Sequence, residues 1–105
     1  MSDRIISYPA TDGLRSVLAE RARQDAKWGI QNHHPRDYFL ILTEEVGELA
    51  QAIADGLVFA TPTEEAVEHV REEAVHVAAV ALAMVEAIDR GTWIQDTEEY
   101  RKEAR

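Results

Sequence analysis

The chain has no cysteine. That excludes disulfides, thiol nucleophiles and thiolate metal sites together. Proline and glycine are scarce, with three and five residues, and most of them sit where a helical protein would place its breaks. Aromatic residues make up 7%, so packing must rest on aliphatic side chains and alanine. Bases are the minority charge: 11 against 20 acids, a net charge of −9 and a pI near 4.8. That balance argues against binding nucleic acid by phosphate neutralisation, which needs a basic face. It argues equally against adhesion to an anionic membrane. No apolar run reaches the ~20 residues of a bilayer span, and Met1 to Pro9 lacks the apolar core of a signal peptide. The expectation is a cytoplasmic protein of one domain over residues 1–105. At 46% hydrophobic residues it can build a core, though a chain this short gains from a partner subunit.

The apolar pattern is helical throughout, and no window alternates with the period of a strand. After an extended lead-in over residues 1–10, Thr11 caps a first helix running to about Lys27. Its apolar stripe is Leu14, Val17, Leu18 and Ala22. Trp28 to Pro35 reads as a loop. A second helix is expected from Pro35 to Asp55, stopped by Gly56 at C′, with Phe39, Leu42, Val46, Leu49 and Ile53 inward. The third is expected to begin with Thr61 as N-cap, Pro62 at N1 and Glu64 at N3, and to end at Arg90 before Gly91. Its segment Ala74 to Val85 is apolar nearly all round, which implies burial on several sides and hence a second chain. A short fourth helix is expected over Trp93 to Glu103. The fold class is therefore all-α: three long helices and a short C-terminal one, completed by oligomerisation.

The negative charge is concentrated. Nine acids lie between Thr43 and His76 against Arg71 alone, while the rest of the chain is nearly neutral. Glu64 and Glu65 complement the dipole of a helix start. Glu44, Glu45 and Glu48 do not, because they lie mid-helix, where like charges at i,i+3 and i,i+4 are unfavourable. They also flank Ile41, Leu42, Val46 and Leu49. In the next helix His69, Glu73 and His76 share one stripe that runs into the apolar segment. Antiparallel packing of the two helices would set Glu45 and Glu48 across from Glu73 and His76. Three carboxylates and an imidazole suit Mg²⁺ or Mn²⁺, and such an ion would hold a polyphosphate in a protein that otherwise repels one.

The segment Ile41-Leu42-Thr43-Glu44-Glu45-Val46-Gly47-Glu48-Leu49-Ala50-Gln51-Ala52-Ile53 resembles the first motif of the MazG-like all-α nucleoside triphosphate pyrophosphohydrolases. Glu45 and Glu48 match that family's E-x-x-E, and Glu73 matches the first residue of its E-x-x-D. His76 stands where the family has Asp, and imidazole is the poorer Mg²⁺ ligand. The run Gln24-Asp25-Ala26-Lys27-Trp28-Gly29 with Gln31-Asn32-His33 is similar to the lead-in of small single-domain, phage-type members. The likeness spans about Arg21 to Ile88. It implies hydrolysis of a (d)NTP to nucleoside monophosphate and pyrophosphate, in a homodimer or homotetramer. Glu45, Glu48, Glu73 and His76 would ligate the metal. Glu44 or Glu45 would serve the attacking water, Lys27, Arg36 and Arg71 the phosphates, and Trp28 the base.

Two other readings use the same residues. Glu73-Ala74-Val75-His76 has the E-x-x-H spacing of di-iron carboxylate bundles, for which a two-fold dimer would supply the second copy. The His76 substitution also fits a degenerate relative that binds nucleotide, or only assembles, without cleaving.

Overall fold

The computed structural model describes residues 11–93 and Lys102. The expected lead-in lies outside the described residues, as does the fourth helix apart from Trp93 and Lys102. The described residues form no strand. They form three helices: α1 over Thr11–Trp28, α2 over Pro35–Ile53 and α3 over Glu64–Asp89. A π-helical turn, Ala54–Val58, extends α2. Both α1 and α2 pack on α3, while hardly touching each other. A groove therefore opens between them with α3 as its floor. No described helix is long and apolar enough to cross a membrane.

Each helix end has a local cause. Gly29 follows α1 at φ 76° and donates its N–H to Asp25, and Gly91 follows α3 at φ 79°. Both occupy the left-handed backbone region that glycine enters without steric cost. The start of α2 is held by His34, whose Nδ1 accepts the Arg36 N–H at 3.0 Å, with Pro35 at N1.

Two expected boundaries move. Thr63, not Thr61, caps α3: it is extended (φ −122°, ψ 164°) and its Oγ1 accepts the Ala66 N–H at 3.1 Å. Pro62 keeps Thr61 in extended backbone, and starting at Glu64 puts both Glu64 and Glu65 in the first turn, next to the positive end of the helix dipole. Gly56 does not stop α2 as a C′ residue, because the chain winds on through the π turn. Its φ is not positive. What demands glycine there is proximity, since a Cβ at Gly56 would stand 3.0 Å from the Ala66 Cβ.

The core is small and lies at one end. Tyr38, Ala83 and Ala87 are buried, with Met84 and Trp93 packed on them. The Tyr38 and Trp93 rings stack at 5.7 Å, and the edge of one ring meets the face of the other between His33 and Tyr38 at 5.2 Å. The Tyr38 hydroxyl donates to the Gln31 carbonyl. Arg90 donates to the Asn32 Oδ1 at 2.7 Å, so the loop between α1 and α2 is tied to the end of α3.

The inward faces of α1 and α2 match the expected ones only in part: Val17, Leu42 and Leu49 are half-buried, but the rest of each expected stripe is not. In α1, Leu14, Leu18 and Ala22 face outward, while Arg21 and Gln24 are buried. Arg21 bonds Glu86 at 2.7 Å as well as Asp25 and Gln24, so an ionic contact, not the leucine stripe, fastens α1 to α3. In α2, Phe39, Val46 and Ile53 are exposed, and the inward line runs through Tyr38, Ile41, Glu45 and Ala52. In α3, Ala79, Val80, Ala83 and Ala87 are buried, but Ala74, Ala78, Ala81 and Val85 are open in the single chain.

Candidate metal-binding cleft

The groove between α1 and α2 deepens to a cleft of about 630 Å³. Its floor is Glu73, His76 and Val80 of α3. Ile41, Glu45 and Glu48 of α2 form one wall, and Glu20, Arg23, Gln24 and Trp28 of α1 form the other. Gln31 and His33 close the loop end.

At the centre, one ligand atom from each of Glu45, Glu73 and His76 lies within 4.8 Å of the others. Among the described residues no other such group of His, Asp and Glu occurs. The His76 Nδ1 stands 3.6 Å from the Glu73 Oε2 and 3.9 Å from the Glu45 Oε2. These separations are too long for hydrogen bonds. Both Oε2 atoms are buried without a hydrogen-bond partner. Glu73 is only 9% exposed.

Helix periodicity makes this convergence. Glu73 and His76 are i,i+3 on α3, so their side chains rise from one face. Glu45 lies on the inward line of α2, one turn beyond Ile41. Burial pushes the Glu45 carboxyl above its ordinary value, and the charge of neighbouring Glu48 adds to the shift. Leaving a buried carboxylate oxygen without a donor is costly. Two carboxylates and an imidazole, with unused oxygens turned toward one point, fit a hard divalent cation.

The remaining residues singled out from sequence are dispersed. Glu48 lines the cleft but is exposed and outside the tight cluster. Glu44 does not line it and faces a second cleft of about 900 Å³ with Asp55 and His69. Glu48 and Glu73 line both clefts. Trp28 belongs to the cleft wall and is 58% exposed. Lys27 does not line it; its ammonium sits 4.7 Å above the Trp28 ring. Arg36 also lies outside, 3.8 Å from Asp37. Arg71 lines an adjoining groove and donates to the Ser16 hydroxyl at 2.9 Å.

Glu20 and Arg23 were not singled out from sequence, and Gln24 entered only as the start of the run similar to the family's lead-in. Glu20 is the acid that α1 adds to the cleft, and its side chain is only 11% exposed. It accepts hydrogen bonds from Arg23 and Gln24, and the bond from Arg23 holds its carboxyl below the ordinary value. The available signal was the i,i+4 pairing of polar Glu20 and Gln24 beside the leucine stripe. Read as a solvated face, it points away from the cleft.

The fold and cleft thus define a class: an all-helical protein with a carboxylate–imidazole cluster at the meeting of three helices. Searches of protein-family models, curated proteins and solved structures returned no match to this chain.

Proposed function

We propose that the chain is a metal-dependent nucleoside triphosphate pyrophosphohydrolase of the MazG-like kind. The observation that carries this reading is the convergence of Glu45, Glu73 and His76, with a buried, unpartnered oxygen on each carboxylate. Those three residues would hold Mg²⁺ or Mn²⁺, with Glu48 at the rim. When bound, such an ion neutralises phosphate oxygens and lowers the pKa of a coordinated water.

The rest of the chemistry belongs to the chain. Glu45 and Glu73 bring two carboxylates into a place where unscreened acids would expel a polyphosphate. Glu48 lines the cleft and its charge is felt by Glu45, which makes it better placed than Glu44 to accept a proton from the attacking water. Trp28 offers one ring face to a base, since Lys27 covers the other. Gln24 and Gln31 also line the cleft. The products are a nucleoside monophosphate and pyrophosphate.

A homodimer or homotetramer belongs to this proposal. Leu14, Leu18, Phe39, Leu40 and Val85 are all more than half exposed in the single chain, more large apolar side chains than a solvated surface favours. Light scattering is expected to give a multiple of 11.8 kDa, and Val85→Glu to reduce it; a monomeric wild-type chain removes this part of the reading.

The test of the activity is pyrophosphate release from a panel of NTPs and dNTPs with Mg²⁺ or Mn²⁺, and with EDTA as control. Release of pyrophosphate and monophosphate only with metal supports the hydrolase. His76 in the place of an expected Asp favours one second reading, a degenerate relative. Metal-dependent nucleotide binding without turnover would establish that reading and end the first.

A further inference from the structure

Resting on the hydrolase reading, we infer that Arg23 is the side chain that receives the polyphosphate of the substrate, and that Glu20 holds it ready until the anion arrives. The cleft presents four carboxylates, Glu20, Glu45, Glu48 and Glu73, to any ligand. Arg23 is the single Lys or Arg among the described residues that line it. The other cations of the region are committed elsewhere. Arg21 is buried against Glu86 and Asp25, Lys27 lies over the Trp28 ring, and Arg36 is outside the cleft.

Arg23 also has the freedom the task requires. Its side chain is 55% exposed, and its guanidinium forks onto the Glu20 carboxylate one turn back, with Nε to Oε1 at 2.8 Å. A guanidinium offers the same planar fork to two phosphate oxygens. A tail carrying several negative charges competes well against one carboxylate for that fork. When Arg23 re-aims, Glu20 keeps the Gln24 amide as donor at 3.1 Å, so the exchange does not strand a buried acid.

The surroundings set a direction. Arg23, Glu20 and His76 form the boundary between the cleft and the adjoining groove, and Arg71 lines that groove. A polyphosphate leaving the carboxylate cluster past His76 meets Arg23 first and Arg71 next. At the other end the cleft offers Trp28, Ile41 and Val80, an apolar wall, and the cation near it, Lys27, lies against the Trp28 ring outside the cleft lining. The cleft is therefore polarised, with the phosphate tail on the Arg23 side.

The experiment is calorimetric titration of inorganic tripolyphosphate, in Mg²⁺ buffer, into the full chain and into Arg23→Ala, Arg23→Lys and Arg15→Ala. The last variant removes the same charge from a site away from the cleft. Arg23→Ala is expected to weaken binding by about tenfold or more, as for loss of a charge-assisted bidentate contact. Arg23→Lys should recover part of it, and Arg15→Ala should stay close to wild type. The KM for the nucleotide is expected to rise in Arg23→Ala with less effect on kcat, and circular dichroism at 222 nm should show the helices intact. Equal affinity in Arg23→Ala and wild type overturns the assignment. So does a loss matched by Arg15→Ala, which would mean net charge alone matters. A wild-type chain that releases pyrophosphate but does not bind tripolyphosphate overturns the Arg23 assignment and leaves the hydrolase standing; absence of both ends both.

Discussion

Two clefts share the α2–α3 interface, and they carry nearly the same chemistry in composition. One gathers Glu45, Glu48, Glu73 and His76; the other gathers Glu44, Glu48, Asp55, His69 and Glu73. They differ in exposure. In the first, the Glu45 and His76 side chains are each 26% exposed and two carboxylate oxygens have no partner. In the second, which is larger, Asp55 is exposed and accepts from Gln51 at 2.8 Å. There His69 lies on the surface 4.0 Å from an exposed Glu72. Exposed acids cost little, whereas acids that lose part of their hydration favour a nearby cation or a change of protonation. Burial by a third helix, α1, separates the two clefts.

The comparison is broken most sharply at Glu73 and Glu45. Glu73→Gln is expected to lower metal-dependent pyrophosphate release by about a hundredfold or more, since even residues that merely support a metal centre cost about 10–100-fold. Glu44→Gln, in the second cleft, should cost far less. Because Glu73 lines both clefts, Glu45→Gln against Glu44→Gln decides between them: equal losses would show that the chemistry is not confined to the first cleft.

Next in size is the response to pH without metal. The folded-state pKa of Glu45 is raised above its ordinary 4.5, so its ionisation opposes folding. The contribution is fully present below about 4.5 and is lost as pH rises through the raised value. The melting temperature measured in EDTA should therefore rise as pH falls from 7 toward 4.5, and Glu45→Gln should flatten that rise. Glu20 has the opposite sign. Its pKa is lowered, so its contribution is present above 4.5 and is lost only as pH falls below it. Mn²⁺ at pH 7 should raise the melting temperature of the wild type and not of Glu45→Gln. A flat wild-type profile would remove the argument from burial.

His76→Asp should sharpen the first cleft by replacing imidazole with an oxygen ligand. The ratio of Mg²⁺- to Mn²⁺-supported turnover is expected to increase, because Mg²⁺ favours carboxylate over imidazole. An unchanged ratio would place His76 outside the ligand set. The smallest effect belongs to the open cleft: His69→Gln is expected to change stability by within about 0.5 kcal/mol, as surface substitutions generally do. Denaturant melts of the two chains would measure it.

Much of the fold was legible locally. Spacing at 3.6 residues identified three helices, and Gly91 marked the end of α3. Competition between two adjacent cap signals was not legible: Thr61-Pro62 and Thr63 both qualify, and which one starts the helix depends on which hydrogen bond the backbone closes. The role of Gly56 was also hidden, because the reason for it is the Ala66 Cβ on another helix. The inward face of α1 was misread for a similar cause. A leucine stripe is the usual buried face, but Arg21 finds Glu86 on α3, and a sequence pattern does not announce a partner 65 residues away.

The sequence by itself determined the all-helical class, the concentration of acid in α2 and α3, and the pairing of Glu73 with His76, because each depends only on composition or on spacing along one helix. The tertiary structure alone decided that Glu45 joins that point while Glu48, which the sequence had set beside it, stays exposed outside the tight cluster. It also decided that Glu20 and Arg23 belong to the cleft, and that the leucines of α1 face outward. Those outcomes depend on how each helix is rotated about its own axis against its neighbours, which is set by contacts between distant residues and not by period.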